Sequence, residues 1–366
     1  LRRQRQMCIR DSARNESPMS YPTHTPRILH TTNVYDGGIS RAVEKIVSLT
    51  PQYEHHLLAA GGSVGSGAAE FASVTELSRD PLRAIGDLRT RTRQLQPDLV
   101  HAHSSWAGFF CRAAALPVHT IYQPHCFVLQ DPQRAGWKQG VFRAAEQLLS
   151  LRKHTMVVLT PEEESVARSM IGVRLGRAHV VRVPNAAHRE PADPLRTATQ
   201  PWHERARVAM IGRICPQKDP RFFAQLAKAL QRKHEDAELI WIGDGDPDAR
   251  RLLEHNGVTV TGWVGDDELD ALLRSIDVYV HSALYEGFPL SVLDAASYRI
   301  PTVVRDIPCF DGTPLVCEST VTEVAEQIHH IVADDDYHDE VVDRTVRVLS
   351  TMNKTKQRQA LSLIHI

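Results

Sequence analysis

Two short segments hold most of the side chains that could do chemistry. In residues 286–294 (EGFPLSVLD) an apolar run, DVYVHSAL, delivers Glu286 into a turn. Pro289 then stands where a first helical residue would, since its missing N–H costs nothing there. The N–H groups of Gly287, Phe288 and Leu290 are left facing outward at a helix N-terminus, which suits an anion. Glu286 and Asp294 lie a little over two helical turns apart, so one carboxylate could sit near a sugar and the other near a ribose of the same ligand. In residues 212–219 (GRICPQKD), Arg213 and Lys218 bracket a proline-containing loop. Two cations converging there can neutralise a diphosphate leaving group. Each segment also has a plainer reading. Glu286 could merely cap a helix with Asp294 on its solvated face, and Arg213 and Lys218 could be loop surface charges.

The first half offers a second set. Residues 36–39 (DGGI) follow an apolar run and open a helical pattern; Gly37 and Gly38 would let the backbone approach a ligand closely, or simply form a tight turn. His101 and His103 end the run PDLVHAH, and His125 stands in QPHCF. A histidine at such an edge is either packed and hydrogen-bonded or available to a ligand. The chain has 19 histidines, yet no HxxxH, HExxH or comparable ligand spacing emerges, so no metal site is expected.

These residues need a scaffold, and the patterning supplies one. Strand-like runs at 27–31, 56–59, 99–102, 120–122, 156–159 and 180–183 alternate with helical segments, the first helix from about 39 to 49. Residues 186–204 have no clear periodicity and read as a linker. The alternation then restarts, with strands at 207–211, 238–242, 258–261, 278–281 and 302–305, and helices at 220–232, 248–255, 267–275 and 290–298. Alternating β and α units predict an α/β protein of two parallel-sheet, Rossmann-like domains facing across a cleft between their strand ends. The predicted division is a foreign or unstructured segment at 1–25, a first Rossmann-like domain at 26–185, the linker, a second domain at 205–345 and a tail at 346–366.

In order, spacing and element context, residues 207–304 resemble glycosyltransferase family 4, of the GT-B fold. The matching stretches are VAMIGRICPQKDP, ELIWIGDGDPDARRLLE, VTVTGWVGDDEL and DVYVHSALYEGFPLSVLDAASYRIPTVV. The resemblance implies that Arg213 and Lys218 hold a nucleotide-sugar diphosphate, that Glu286 contacts the transferred sugar, and that the backbone at 287–290 (Gly287, Phe288, Pro289, Leu290) cradles phosphate. It places the Gly37–Gly38 loop at the donor phosphate and acceptor entrance. IYQPHCFVL resembles the family's first-domain histidine segment, so His125 would lie near the sugar and donate to a hydroxyl or leaving oxygen. It implies transfer with retention, by a front-face route, with cationic side chains and helix dipoles in place of a metal; no cofactor is expected beyond the nucleotide-sugar substrate. One position departs from the pattern: Asp294 stands where the family has Glu, so its ribose contact would be longer or water-bridged and donor affinity at worst weakened, since the carboxylate is kept. The GDGDPD run at 243–248 does not complete a dinucleotide fingerprint, because its third small residue is Asp248.

Bulk properties limit the partners. Lys+Arg 43 and Asp+Glu 44 nearly cancel over 366 residues, which disfavours a general nucleic-acid binder. Residues 26–185 carry 18 basic against 13 acidic side chains, and residues 205–366 carry 18 against 26. The six cysteines have no paired spacing, which fits a reducing cytoplasm. No run is apolar enough to span a membrane. Residues 133–153 (QRAGWKQGVFRAAEQLLSLRK) mix aromatic and basic side chains, as either a core-facing helix with solvated charges or a helix lying on an anionic inner-membrane surface beside a lipid-linked acceptor. Residues 1–12 (LRRQRQMCIRDS) and 361–366 (LSLIHI) resemble translated adapter sequence, which would leave the native C-terminal piece missing after about residue 353. The expected function is hexosyl transfer to a glycan or lipid-linked acceptor in cell-envelope or exopolysaccharide synthesis. A nucleotide-sugar epimerase on the same fold and a non-catalytic sugar-nucleotide binder are the alternatives.

Overall fold

The structure, a computed structural model, describes residues 24–61, 70–189, 205–232 and 237–364. The first half runs β1 (Arg27–Thr32), α1 (Gly37–Leu49), β2 (Glu54–Ala59), β3 (Ser73–Glu76), α2 (Pro81–Leu95), β4 (Leu99–His103), α3 (Ser105–Ala114) and β5 (His119–Gln123). It continues through α4 (Gly136–Ser150), β6 (His154–Val158), α5 (Pro161–Arg168), α6 (Ile171–Arg174) and β7 (Ala178–Arg182). The second half runs β8 (Ala206–Ile211), α7 (Pro220–Arg232), β9 (Ala237–Ile242), α8 (Pro247–His255), β10 (Val258–Val260), α9 (Asp266–Ser275) and β11 (Val278–His281). After these come α10 (Leu290–Ser297), β12 (Thr302–Arg305), β13 (Val316–Glu318), α11 (Val321–Ala333), α12 (Asp335–Arg347) and α13 (Lys354–Ser362).

The strands form two sheets, β3-β2-β1-β4-β5-β6-β7 and β10-β9-β8-β11-β12-β13, and the pairings within both are parallel. Helices cover both faces of such sheets, so the central strands are buried on both faces rather than alternating; Val208, Ala209 and Met210 of β8 are all fully buried. α7 turns Phe222, Phe223, Leu226 and Leu230 inward on one stripe. In each sheet the chain leaves the first strand to one side and later returns on the other, between β1 and β4 and between β8 and β11. Strand order reverses at those points, which opens a crevice at the carboxyl ends.

The expected α/β architecture is present, with differences at its margins. β3 (SVTE) was not expected: it is a polar edge strand, so alternation and apolar content give no signal. β13 has only three residues. Of the expected linker, Ala186 and Ala187 are buried, and residues 190–204 lie outside the described residues. So do residues 1–23 of the expected foreign segment.

The tail departs most from expectation. Beyond residue 353 the chain is not a loose end but α13, capped by the Asn353 side chain, which accepts from the Lys356 N–H at 3.0 Å. Ala360, Leu361 and Ile364 pack into the first-half core with Ile28, Ile46, Leu49 and Leu99. The physical reason is the apolar spacing 360, 361, 364, which gives α13 one buried face.

Candidate active site

The loop after β8 is held to the loop after β11 by a short zipper. Ser282 Oγ donates to the Lys218 carbonyl at 2.7 Å, the Leu284 N–H to the Gln217 carbonyl at 2.8 Å, and Gln217 Nε2 to the Tyr285 carbonyl at 3.0 Å. Asp219 closes the 216–218 turn in the left-handed region, φ 49°, and its carboxylate accepts from Arg305 at 2.6 Å. The zipper fixes where Lys218 points: its ammonium donates directly to Glu286 Oε1. His281 Nε2 approaches the same oxygen at 3.6 Å. Burial pushes the Glu286 carboxyl up, but Lys218 and then His281 outweigh it and hold the group down at about 2. Glu286 is therefore an ionised acceptor at neutral pH, not an acid.

Two hydrogen bonds and two glycines set the loop that carries Arg213. The Ile214 N–H donates to the Asp244 carbonyl and the Asp246 N–H to the Ile214 carbonyl, both at 2.8 Å. A Cβ on Gly243 would stand 2.3 Å from the Gly212 carbonyl oxygen, and one on Gly245 2.2 Å from that of Ile214. The glycines of GDGDPD thus serve close packing of two loops, which explains them without a dinucleotide. Arg213 itself is half-exposed and reaches across to the first half, 3.6 Å from Asp36 Oδ2. Gly37 (φ +56) lies under the same guanidinium, 3.9 Å from where its Cβ would be, whereas a Cβ on Gly38 would meet open space.

At Gly287 the backbone of the second half packs against that of the first. A Cβ there would stand 1.9 Å from the His125 carbonyl oxygen, so only glycine fits. His125 is itself in the left-handed region, φ 60°, rarely occupied by a non-glycine residue. Burial pushes its imidazole down to about 4, so it is neutral at physiological pH. Its Nε2 lies 3.0 Å from His103 Nδ1. His30, His101 and His103, all buried, bring ligand-type nitrogens within 4.8 Å of one another.

Pro289 is the cap residue of α10 rather than its first residue, because its ψ of 131° is extended; the helix begins at Leu290. Phe288 and Leu290 are buried, and the Phe288 carbonyl accepts from Asn185 Nδ2 at 2.9 Å. Of the first-turn N–H groups of α10, that of Val292 donates to the Pro289 carbonyl at 3.3 Å, and those of Leu290 and Ser291 precede the first intrahelical acceptor.

Asp294 finds partners within the protein for both of its oxygens. It is almost fully buried, and Oδ1 accepts from the His188 and Arg189 N–H groups at 2.8 and 2.9 Å. Oδ2 accepts from Arg41 of α1 at 2.5 Å. One turn further along α1, Lys45 donates to the His188 carbonyl at 3.2 Å. The shorter side chain thus ties α10 to α1 and to the strand-to-linker segment, its oxygens already satisfied without a ribose. His281, Arg41 and Asn185 went unnoticed in the sequence. His281 alone had a signal, as the last residue of an apolar strand run ending at the cleft.

Sequence and structure comparisons supply the family and the fold. Residues 37–186 match the model of the glycosyl transferase 4-like domain, and residues 205–350 that of glycosyl transferases group 1. The chain belongs to the family-4-like glycosyltransferases. Within that family it is 28% identical over 232 residues to an Escherichia coli UDP-Gal:alpha-D-GlcNAc-diphosphoundecaprenol alpha-1,3-galactosyltransferase, a match covering 57% of this chain and 58% of that one. The match thus spans a little over half the length of that curated relative. Its GT-B fold is shared with a sucrose-phosphate synthase from Thermosynechococcus elongatus (TM-score 0.75, 14% identity, 93% and 98% of the two chains covered). Anabaena HepE in complex with UDP-glucose is similar (TM-score 0.73, 13% identity, 92% and 98% covered). In these family terms, the structure joins Lys218 to Glu286 and sets Gly287 against His125. Arg213 is brought to the Gly37 loop, and Asp294 stands apart from that group in a contact of its own.

Proposed function

We propose that this glycosyltransferase moves a hexose-type sugar, with retention, from a nucleoside diphosphate sugar to a glycan or lipid-linked acceptor in cell-envelope or exopolysaccharide synthesis. The observation that carries this reading is the Lys218–Glu286 pair, set beside the start of α10 where the two halves touch. A donor diphosphate would draw the Lys218 ammonium, the Arg213 guanidinium and the α10 N–H groups, which offset the charge that builds on the leaving group. Glu286, freed from Lys218, accepts from hydroxyls of the sugar. Closure at Gly287 excludes water and favours transfer over hydrolysis. A front-face route, in which the leaving phosphate takes the proton of the acceptor hydroxyl, needs no enzymatic nucleophile and no resident metal. The E. coli relative is named for a UDP-Gal donor and HepE holds UDP-glucose, so uracil is the base favoured for this donor.

The acceptor side has a structural counterpart. Along α4 and the residue after it, Trp137, Val141, Ala144, Leu148 and Leu151 form one stripe at helical spacing, and all five are exposed. The helix turns Glu146 inward instead, onto Arg112 at 3.0 and 3.2 Å. Exposed Lys138, Arg152 and Lys153 flank the stripe. An apolar face rimmed by cations suits an anionic membrane surface carrying a lipid-linked acceptor. Among the described residues no helix is long and apolar enough to cross a membrane.

The test is a thermal-shift screen of UDP-, GDP- and ADP-sugars, followed by incubation of the stabilising donor with and without polyprenyl-diphosphate-sugar acceptors. Product that requires acceptor and keeps the anomeric configuration supports the proposal. An altered sugar formed from donor alone would point to epimerisation, and binding without turnover to a non-catalytic role.

A further inference from the structure

A chain of four imidazoles crosses the first sheet and ends at the cleft. His55 Nδ1 lies 3.0 Å from His30 Nε2, His30 Nδ1 3.0 Å from His103 Nε2, and His103 Nδ1 3.0 Å from His125 Nε2. Their rings follow one another at 5.2, 5.3 and 5.3 Å between centroids. The strands account for the alignment, since β2, β1 and β4 are neighbours and His125 follows β5, the next strand.

The far end sets the direction of every bond. His55 Nε2 lies 2.9 Å from the Thr50 carbonyl oxygen. A carbonyl only accepts, so His55 carries its hydrogen on Nε2. A neutral imidazole has one N–H and one lone pair, so His55 Nδ1 accepts, and His30 Nε2 donates to it. The same step repeats: His30 Nδ1 accepts from His103 Nε2, and His103 Nδ1 accepts from His125 Nε2. Four hydrogens fill four gaps with none missing. At the near end His125 is left with a bare Nδ1, which among the described residues has no hydrogen-bond partner.

We propose that His103, His30 and His55 are positioning residues that hold His125 in the tautomer with its hydrogen on Nε2, so that Nδ1 accepts a hydrogen bond from a hydroxyl of the donor sugar. The acceptor role rests on the donor reading of the cleft; the tautomer does not. This reverses the direction expected from the sequence, in which His125 donates. Thr50, at the end of α1, thereby sets the polarity of a side chain four residues of hydrogen bonding away.

The group His30, His101 and His103 could instead hold a metal ion, and the two possibilities give opposite results. A metal would take the lone pairs of His30 and His103 that face each other. The hydrogen of His103 would move to Nδ1 and donate to His125 Nε2, leaving His125 with its hydrogen on Nδ1.

The experiment is long-range proton–nitrogen NMR on the full chain labelled at histidine nitrogens, with His125 assigned from the spectrum of His125→Gln. The expected wild-type pattern is Nε2–H. It should persist in His103→Gln, whose amide can donate to His30 and accept from His125, and give way to a mixture in His103→Leu. An Nδ1–H pattern in the wild type, with or without bound zinc by elemental analysis, overturns the proposal. So does an unchanged pattern in His103→Leu. In a second arm UDP-glucose is titrated calorimetrically, and His103→Leu, but not His103→Gln, should bind it about 3- to 10-fold more weakly. Equal affinities overturn the acceptor role. Failure of the wild type to bind UDP-glucose counts against the donor assignment and not against the tautomer.

Discussion

Replacing Lys218 with methionine removes the ammonium that keeps Glu286 ionised while preserving much of its volume. In the wild type Glu286 sits at about 2 against an ordinary 4.5, which corresponds to roughly 3 kcal/mol of preference for the ionised pair in the folded state. Both side chains are largely shielded, 16% and 10% exposed, so solvent screening takes little from that figure. Because the folded pKa is depressed, the contribution is present above about 4.5 and is lost as pH falls toward 2. Roughly 1 kcal/mol of it should already be gone at pH 4. In Lys218→Met burial opposes the charge with only His281 left to counter it, so the Glu286 pKa rises. The variant should be about 3–5 kcal/mol less stable than wild type at pH 7, from the cost of an unpaired buried charge. That gap should narrow as pH is lowered. Urea unfolding at pH 7, 5.5 and 4 measures it, and the double variant Lys218→Met/Glu286→Gln should regain most of the stability while staying inactive. A single variant whose stability gap is constant with pH would refute the electrostatic reasoning. A double variant that transfers sugar would show the pair to be structural only.

Three further outcomes are expected. Arg213→Ala should leave stability within about 0.5 kcal/mol, since the side chain is 48% exposed, yet lower kcat/KM roughly 100-fold in a nucleotide-release assay; near-normal turnover removes Arg213 from the diphosphate. Asp294→Ala strands Arg41 and two N–H groups, so it should cost about 3 kcal/mol in chemical denaturation with the donor KM little changed at a temperature where it folds; the reverse pattern would restore the ribose role. Leu361→Ala should cost about 2–5 kcal/mol, because the side chain is fully buried in the first-half core, and an unaltered denaturation midpoint would show that α13 does not stabilise the fold.

What could be read in advance follows the physics of each signal. Periodicity located β8, α7, β11 and β12 within a residue because buried parallel strands and one-sided helices are chemically distinct. It missed β3, whose polar edge residues look like loop. The residue types of the site were legible because cations, acids and glycines at strand ends have few cheap uses. Their pairings were not. Nothing in the spacing of 218 and 286 says that the ammonium meets the carboxylate, since the zipper that joins their loops is made by backbone carbonyls and by Ser282 and Gln217. The partners of Asp294 were hidden for a related reason. A one-methylene shortening reads as a weaker version of the same contact, whereas Arg41 and two linker amides, invisible as a group in one dimension, give it a different one.

The pair also bears on how the cleft would choose its ligand. Lys218 and Glu286 satisfy each other while no donor is bound, so a ligand that draws the ammonium away must leave the carboxylate with another partner. A nucleoside diphosphate supplies anionic oxygens for Lys218 but nothing for Glu286, which then keeps only His281 at 3.6 Å. A free hexose supplies hydroxyls for Glu286 but cannot compete for Lys218. Only the intact nucleotide sugar offers both, and leaving one buried charge short of a partner costs on the order of a few kcal/mol. UDP-hexose should therefore bind the wild type more tightly than UDP does, and the advantage should disappear in Lys218→Met/Glu286→Gln. Calorimetric affinities that rank UDP above its hexose in the wild type would mean that Glu286 gains nothing from the sugar, and the exchange of partners would have to be abandoned.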